Sequence, residues 1–303
     1  MKLSEMIKFL KFVLALGIAF ITLCLLLDLV IIRMLVDSPS GGTYKVHRIL
    51  TETHPFEIPI LGSSRALAHF VPSVINTNCF NYGLDGTGTD VICFFLEAEL
   101  RKNKNTPIII NFDPWGFMSS IGDINNYKFA YHDMGVKKLI PAHQHSVQFL
   151  LPGVRFYGTF KSTFSTWLNQ RLGITRLTDQ GAQLLIIEHK QSELDKMASA
   201  CSPWYVKEDP AAIKETFFRL LKCSKRKIYI VVGPTHISHQ KRCKNIEKLD
   251  QILTEFSRIP SVCIINAYNT ADQYTWSDWY DLIHLKADAA KHFSAQIKKK
   301  MEL

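Results

Sequence analysis

The 303-residue chain has no Cys-x-x-Cys pair, no glycine-rich phosphate loop, no internal repeat and no low-complexity tract. The first absence argues against a zinc ribbon or finger, whose ligands come in such pairs. The second removes the P-loop nucleotide enzymes, the third removes solenoids and propellers, and the fourth removes extended disorder. Positive charge is in modest excess, with 36 Lys and Arg against 27 Asp and Glu, a net charge of +9. The surplus lies in clusters such as Lys225-Arg226-Lys227, Lys241-Arg242 and Lys298-Lys299-Lys300. These flank expected strands or end expected helices, where lysines solvate a surface. With no reader motif beside them, no nucleic-acid partner is expected. Among the seven cysteines, Cys79, Cys93 and Cys263 sit in apolar patterns and read as small buried hydrophobes. Cys201, Cys223 and Cys243 are the disulfide candidates, and their spacing assigns no pairing.

One long hydrophobic run is present, from Phe12 to Ile32, long enough to cross a bilayer as a single helix. Lys2, Lys8 and Lys11 precede it and Arg33 follows. That bias predicts a cytoplasmic N-terminus and an external C-terminal domain, periplasmic or extracellular. No small-x-small cleavage site stands after Leu27, so residues 1–35 read as an uncleaved anchor in preference to a signal peptide. Asp28, near the outer end, reads as snorkelling to the interface. Residues 36–56, with Ser38, Pro39, Ser40, Gly41 and Gly42, read as a linker, and the folded domain is expected over 57–303.

Within that domain, short apolar runs alternate with helical periodicity. Strands are expected at Ile58 to Leu61, Cys79 to Tyr82, Pro107 to Phe112, Ile228 to Val232 and Val262 to Asn266. Helices are expected at Asp90 to Arg101, from an Asp209-Pro210 start through Leu221, at Asn245 to Phe256 and at Ala287 to Met301. The alternation predicts an α/β fold of three layers, a central parallel sheet covered by helices on both faces, with chemistry at the carboxyl ends of the strands. The segment at about 116–205 is too long for a simple connection and is expected to be an insertion. Its aromatic residues and histidines read as a satellite core in preference to an acceptor cleft or lid. His143 and His145 have no third ligand at suitable spacing, so no metal and no cofactor is expected.

At the end of the first strand, Gly62-Ser63-Ser64 leads directly into a helix-like pattern. A serine on such a turn has the free N–H groups of a helix start beside it to receive an oxyanion, and Ser64 is the candidate nucleophile. A serine hydroxyl needs a base, and the base needs an orienting carboxylate. Asp281 and His284, with two residues between them near the end of the chain, supply the pair. His236 and His239 also follow a strand, but neither has a carboxylate three residues before it. Arg65 has two open readings, a hold on an anionic substrate group or a tie between the turn and the core.

The order Ser64, Asp281, His284 resembles the SGNH (GDSL-like) hydrolase superfamily, whose last motif is Asp-x-x-His. The likeness covers most of 57–117 and 226–303. It implies a flavodoxin-like sheet, Ser64 in the nucleophile position of the first motif, and an oxyanion hole built from Ser64 and Gly83, the latter within Asn81-Tyr82-Gly83. The third motif departs from the family: Asp113 stands where an asparagine would donate its amide. Three readings follow, in which Asn111 substitutes, Asp113 has another task, or only backbone donors line the hole. With its N-terminal anchor the chain resembles the membrane-bound branches, the D-alanyl transfer proteins and the alginate-type O-acetyltransferases. That resemblance implies an acyl donor and an envelope glycan acceptor, with a multi-pass membrane acyltransferase as partner. The expected activity is serine acyl transfer or ester hydrolysis, the alternative a non-catalytic glycan-binding scaffold.

Overall fold

A computed structural model describes residues 3–38, 41–114, 121–145, 147–151, 153–156, 160–172, 178–187, 189–207 and 210–301. In chain order the helices and strands begin with α1 (Leu3–Val36), α2 (Gly42–Thr51), β1 (Ile58–Leu61), α3 (Ser64–His69), α4 (Pro72–Ile75), β2 (Cys79–Asn81), α5 (Thr89–Leu100) and β3 (Ile108–Asn111). They continue with α6 (Met134–Leu139), α7 (Phe160–Arg171), β4 (Thr178–Asp179), β5 (Ala182–Gln183), α8 (Gln191–Ala200) and α9 (Ala211–Cys223). The last are β6 (Ile228–Val232), α10 (Ile237–Gln240), α11 (Glu247–Ser257), β7 (Val262–Asn266) and α12 (Ala287–Met301). The chain divides into two compact units, 1–44 with 124–174, and 45–123 with 175–303.

The larger unit is α/β. Its five-stranded sheet has the order β2-β1-β3-β6-β7, parallel throughout. The strands are four-to-five-residue apolar runs, or shorter, almost all buried, as a sheet covered on both faces requires. Alternate positions, Ile58 and Ile60, Ile109, Tyr229 and Val231, join one core with α12 through Ala290, Phe293 and Ile297. The intervening positions face the other way, where Phe256 of α11 meets Phe112 and Phe217 edge to face. The strand order reverses direction between β1 and β3, so the carboxyl ends of these two strands flank the crevice in which open α/β sheets place their ligands.

Three boundaries differ from the sequence expectation. The expected linker contains α2, in which Val46 and Ile49 are wholly buried, so the larger unit starts at Lys45 and not at Glu57. Val46, Ile49 and Leu50 stand at helical spacing, a signal overshadowed by the Ser38-Pro39-Ser40-Gly41-Gly42 tract just before it. The expected insertion is really 124–174, because 175–205 returns to the larger unit. There the β4–β5 hairpin turns at Gln180-Gly181, both with positive φ, and the Gln180 carbonyl accepts from Asn81 N–H at 2.9 Å. The expected N-cap Asp209 lies outside the described residues, and Pro210 precedes α9. All seven cysteines are free thiols, the three disulfide candidates included.

The smaller unit is built on α1, a helix of 34 residues long and apolar enough to cross a membrane. Its side chains are exposed from Leu3 to Val30 apart from buried Asp28 and half-buried Cys24, while Ile31 and Met34 are buried. α7 packs against α1. Asp28 does not snorkel. It is buried, accepts from Gly153 N–H at 2.9 Å and pairs with Arg155 Nε at 2.7 Å. Tyr127, Tyr131, Phe149 and Phe156 are buried as a satellite core. His145 meets the Tyr131 hydroxyl at 2.7 Å, and no group of three metal-ligating side chains occurs among the described residues.

Candidate active site

β1 ends in a turn that only glycine fits. Gly62 has φ +151°, and a Cβ there would stand 2.7 Å from the Ala66 Cβ and 2.9 Å from the Asn111 Cβ. The turn passes at once into α3, with Ser63 as N-cap and Ser64 as the first helical residue. The Ser63 hydroxyl accepts from Arg65 N–H at 3.3 Å and donates to Asp113, which leaves the Ser64 side chain pointing elsewhere.

The Ser64 hydroxyl meets His284 Nε2 at 2.9 Å, and His284 Nδ1 meets Asp281 Oδ2 at 2.8 Å. A tight loop makes this possible. Trp279 and Leu285 bridge in antiparallel fashion, and Tyr280 N–H donates to the His284 carbonyl at 2.9 Å. Inside it, Asp281 Oδ1 accepts from the N–H groups of Ile283 and His284, each at 2.8 Å, so the carboxylate is fixed by backbone while its second oxygen faces the imidazole. Burial alone would raise the Asp281 pKa. The hydrogen bond and charge of His284 and the two N–H donors outweigh it, and the carboxyl is held below its ordinary value. All three side chains are partly exposed, as groups that meet a substrate must be. His236 and His239 are engaged elsewhere: His236 Nδ1 accepts from Ser238 N–H at 3.2 Å, and His239 stacks on Trp204.

The other expected site residues are placed differently. Arg65 is completely buried. It donates to Asp113 Oδ1 at 2.8 Å and to the Pro234 carbonyl at 2.8 Å, which is the tie between turn and core and leaves it no access to a substrate. Asn111 is also fully buried and spends an amide hydrogen on Asp113 Oδ1 at 3.0 Å. Asp113 therefore has another task, to be counter-ion to Arg65. Gly83 N–H, expected in the oxyanion hole, donates to Asn81 Oδ1 at 2.8 Å. The Gly83 carbonyl accepts from Lys45 Nζ at 2.6 Å, so the backbone N–H and C=O of that residue are both engaged. Of the expected oxyanion donors, the Ser64 N–H is the one with no acceptor among the described residues.

Three buried polar residues that had no role assigned from the sequence organise this site. Asn81 donates to the carbonyls of Ala66 and Phe70 at 2.7 and 2.9 Å while accepting from Gly83, which clamps the second-motif loop to α3. Lys45 has its pKa lowered to about 7 by burial. His69 lies beneath the 279–285 loop, its Nε2 3.0 Å from the Ile283 carbonyl and 3.1 Å from the Leu285 N–H. It touches the backbone on both sides of His284. Asn81 had a visible signal, a polar residue ending a buried strand. Lys45 and His69 had none, since each sits in a helix among ordinary neighbours.

Burial lowers the pKa of His69 well below its ordinary value, with Arg65 and His284 adding to the effect, and burial likewise lowers His236 and takes His239 to about 4. A histidine whose folded pKa is depressed binds fewer protons folded than unfolded at mildly acidic pH. Its stabilisation is present above about pH 6.5 and is lost as pH falls toward the folded pKa. Thermal midpoints are therefore expected to drop steadily from pH 7 to pH 4.5, and His239→Gln is expected to flatten the curve. A flat wild-type profile over that range would contradict the burial of these rings in neutral form.

No protein-family model matches this chain, and no curated protein does. Among solved structures it is similar to a protein of Streptococcus pneumonia provisionally described as a platelet activating factor, at 12% identity and a TM-score of 0.41, over 95% of this chain and 99% of the other. At that identity and score the likeness says nothing of function.

Proposed function

We propose that the chain is a membrane-anchored serine acyl-transfer enzyme acting outside the cytoplasmic membrane, on an ester or thioester donor and an envelope-glycan acceptor. The observation that carries the reading is the unbroken hydrogen-bonded line Ser64–His284–Asp281. In the first half-reaction, Ser64 Oγ bonds to the carbonyl carbon as His284 Nε2 takes the hydroxyl proton. The Ser64 N–H faces the developing oxyanion, and Asp281 stabilises the imidazolium. Collapse expels the leaving group, which receives the proton from His284, and the acyl group remains on Ser64. In the second half, His284 takes the proton of a glycan hydroxyl, or of water, as its oxygen attacks the acyl carbon, and returns that proton to Ser64 Oγ as the acyl–serine bond breaks. The same residues serve transfer and hydrolysis, and the anchor favours transfer onto a surface polymer.

Support for an uncleaved anchor comes from Asp28, because removing α1 would leave Arg155 without this carboxylate. For the same reason the test uses the full-length chain in detergent. A fluorophosphonate probe is expected to label the wild type at one site per chain and to leave Ser64→Ala unlabelled. Glycan binding by a wild type that takes no label would sink the enzyme reading and favour a scaffold.

A further inference from the structure

We infer that part of the smaller unit, residues 147–151, 153–156 and one face of α7, is seated among lipids in the outer leaflet of the membrane that α1 crosses. The inference rests on the reading of α1 as a membrane-spanning helix. Its first ground is depth. A Cβ on Gly153 would stand 2.9 Å from both the Cβ and the Sγ of Cys24, and Arg155 pairs with Asp28. With a rise of about 1.5 Å per residue, Cys24 is about 12 Å and Asp28 about 6 Å inside the end of the apolar run at Ile32. Chain packed against Asp28 is at the depth at which amphipathic elements lie in a membrane, and chain packed against Cys24 reaches deeper, among the acyl chains of the outer leaflet.

The second ground is what this chain shows on its outside. Val147 is 72% exposed, Leu150 57% and Val154 43%, although they adjoin the residues that clasp α1. On α7 and just past its end, Phe164, Leu168 and Leu172 recur every fourth residue on one exposed face, while Thr163 is buried. In water so many exposed apolar side chains would be a liability, and beside a lipid-facing helix they have their solvent. The third ground is the rim. Lys161 and Arg171 are exposed toward the two ends of the α7 face, and the Arg171 guanidinium lies 5.6 Å over the Trp167 ring. A cation and an indole together suit the headgroup layer. Finally, the Asp28 carboxylate accounts for the local backbone. It accepts from Gly153 N–H and pairs with Arg155, so the non-helical segment meets the apolar zone with that N–H and that charge held by protein.

The test is photolabelling of the purified full-length chain in phosphatidylcholine nanodiscs that contain a phosphatidylcholine with a diazirine on one acyl chain, with adducts mapped by mass spectrometry. Adducts are expected on α1 and also on peptides from 147–151, 153–156 and 160–172. Leu168→Glu is expected to lower those in the last peptide severalfold and leave α1 labelling unchanged. Adducts on α1 alone would overturn the inference and assign the surface to water or to a membrane-protein partner. No adducts on α1 would overturn the anchor reading itself, and this inference with it.

Discussion

Replacing His284 by Ala is expected to slow acylation of Ser64 by about six orders of magnitude, and Asp281→Asn by about four. The difference follows from the geometry. His284 is the atom-to-atom partner of the Ser64 hydroxyl, at 2.9 Å, and without it no group at the site takes the proton. Asp281 acts through His284, holding Nδ1–H at 2.8 Å so that Nε2 is bare toward the serine. An amide in its place keeps the two backbone hydrogen bonds on Oδ1 but turns an N–H toward the imidazole and favours the wrong tautomer. The rate constant for labelling by the fluorophosphonate, measured for wild type, Asp281→Asn, Asp281→Ala and His284→Ala, gives the ranking. Equal rates for wild type and His284→Ala would mean that Ser64 is reactive without its histidine, and the line of three would be structural only.

The second large effect is on stability. Asp113→Asn restores the residue type that the resembling family has at this position, yet it is expected to destabilise the fold by about 3 kcal/mol or more. Arg65 has no exposure, and Asp113 is the carboxylate it pairs with at 2.8 Å. The substitution leaves a buried guanidinium without its counter-charge and removes the carboxylate that receives the Ser63 hydroxyl and the Asn111 amide. For a unit of this size the loss reads as a fall of about 6–12 °C in thermal midpoint. Arg65→Met with Asp113→Asn removes both charges together and is expected to recover most of that loss, because a buried pair and an apolar replacement are often close in energy. An Asp113→Asn protein as stable as wild type would show that the pair contributes nothing. The aspartate at 113 thus belongs with Arg65, the residue immediately after Ser64.

The parallel sheet was legible because each strand is a short apolar run closed by a polar or glycine turn, as at Ile58–Leu61 before Gly62. The approach of Ser64 to His284 was legible only as an order of residues, since nothing local to either end fixes the distance across 220 positions. What could not be read were the assignments of hydrogen-bond donors. The Gly83 N–H, the Asn111 amide and Arg65 each had a reasonable role at an oxyanion or a substrate, and each is spent on a neighbour that only the folded chain brings near. The end of the insertion was hidden for a different reason. β4 and β5 have two residues each, too few to show any period, and the turn between them puts Gln180 at positive φ, an uncommon choice for glutamine.

The 220 positions between Ser64 and His284 are also an interval of time. A ribosome adding about 5–20 residues per second completes the Gly62-Ser63-Ser64 turn roughly 10–40 s before it reaches the histidine. Throughout that interval the nascent chain carries a serine without its base. The first helix and the Ser64 turn are thus synthesised long before His284, and the Ser64–His284 hydrogen bond is among the last contacts of the site to form.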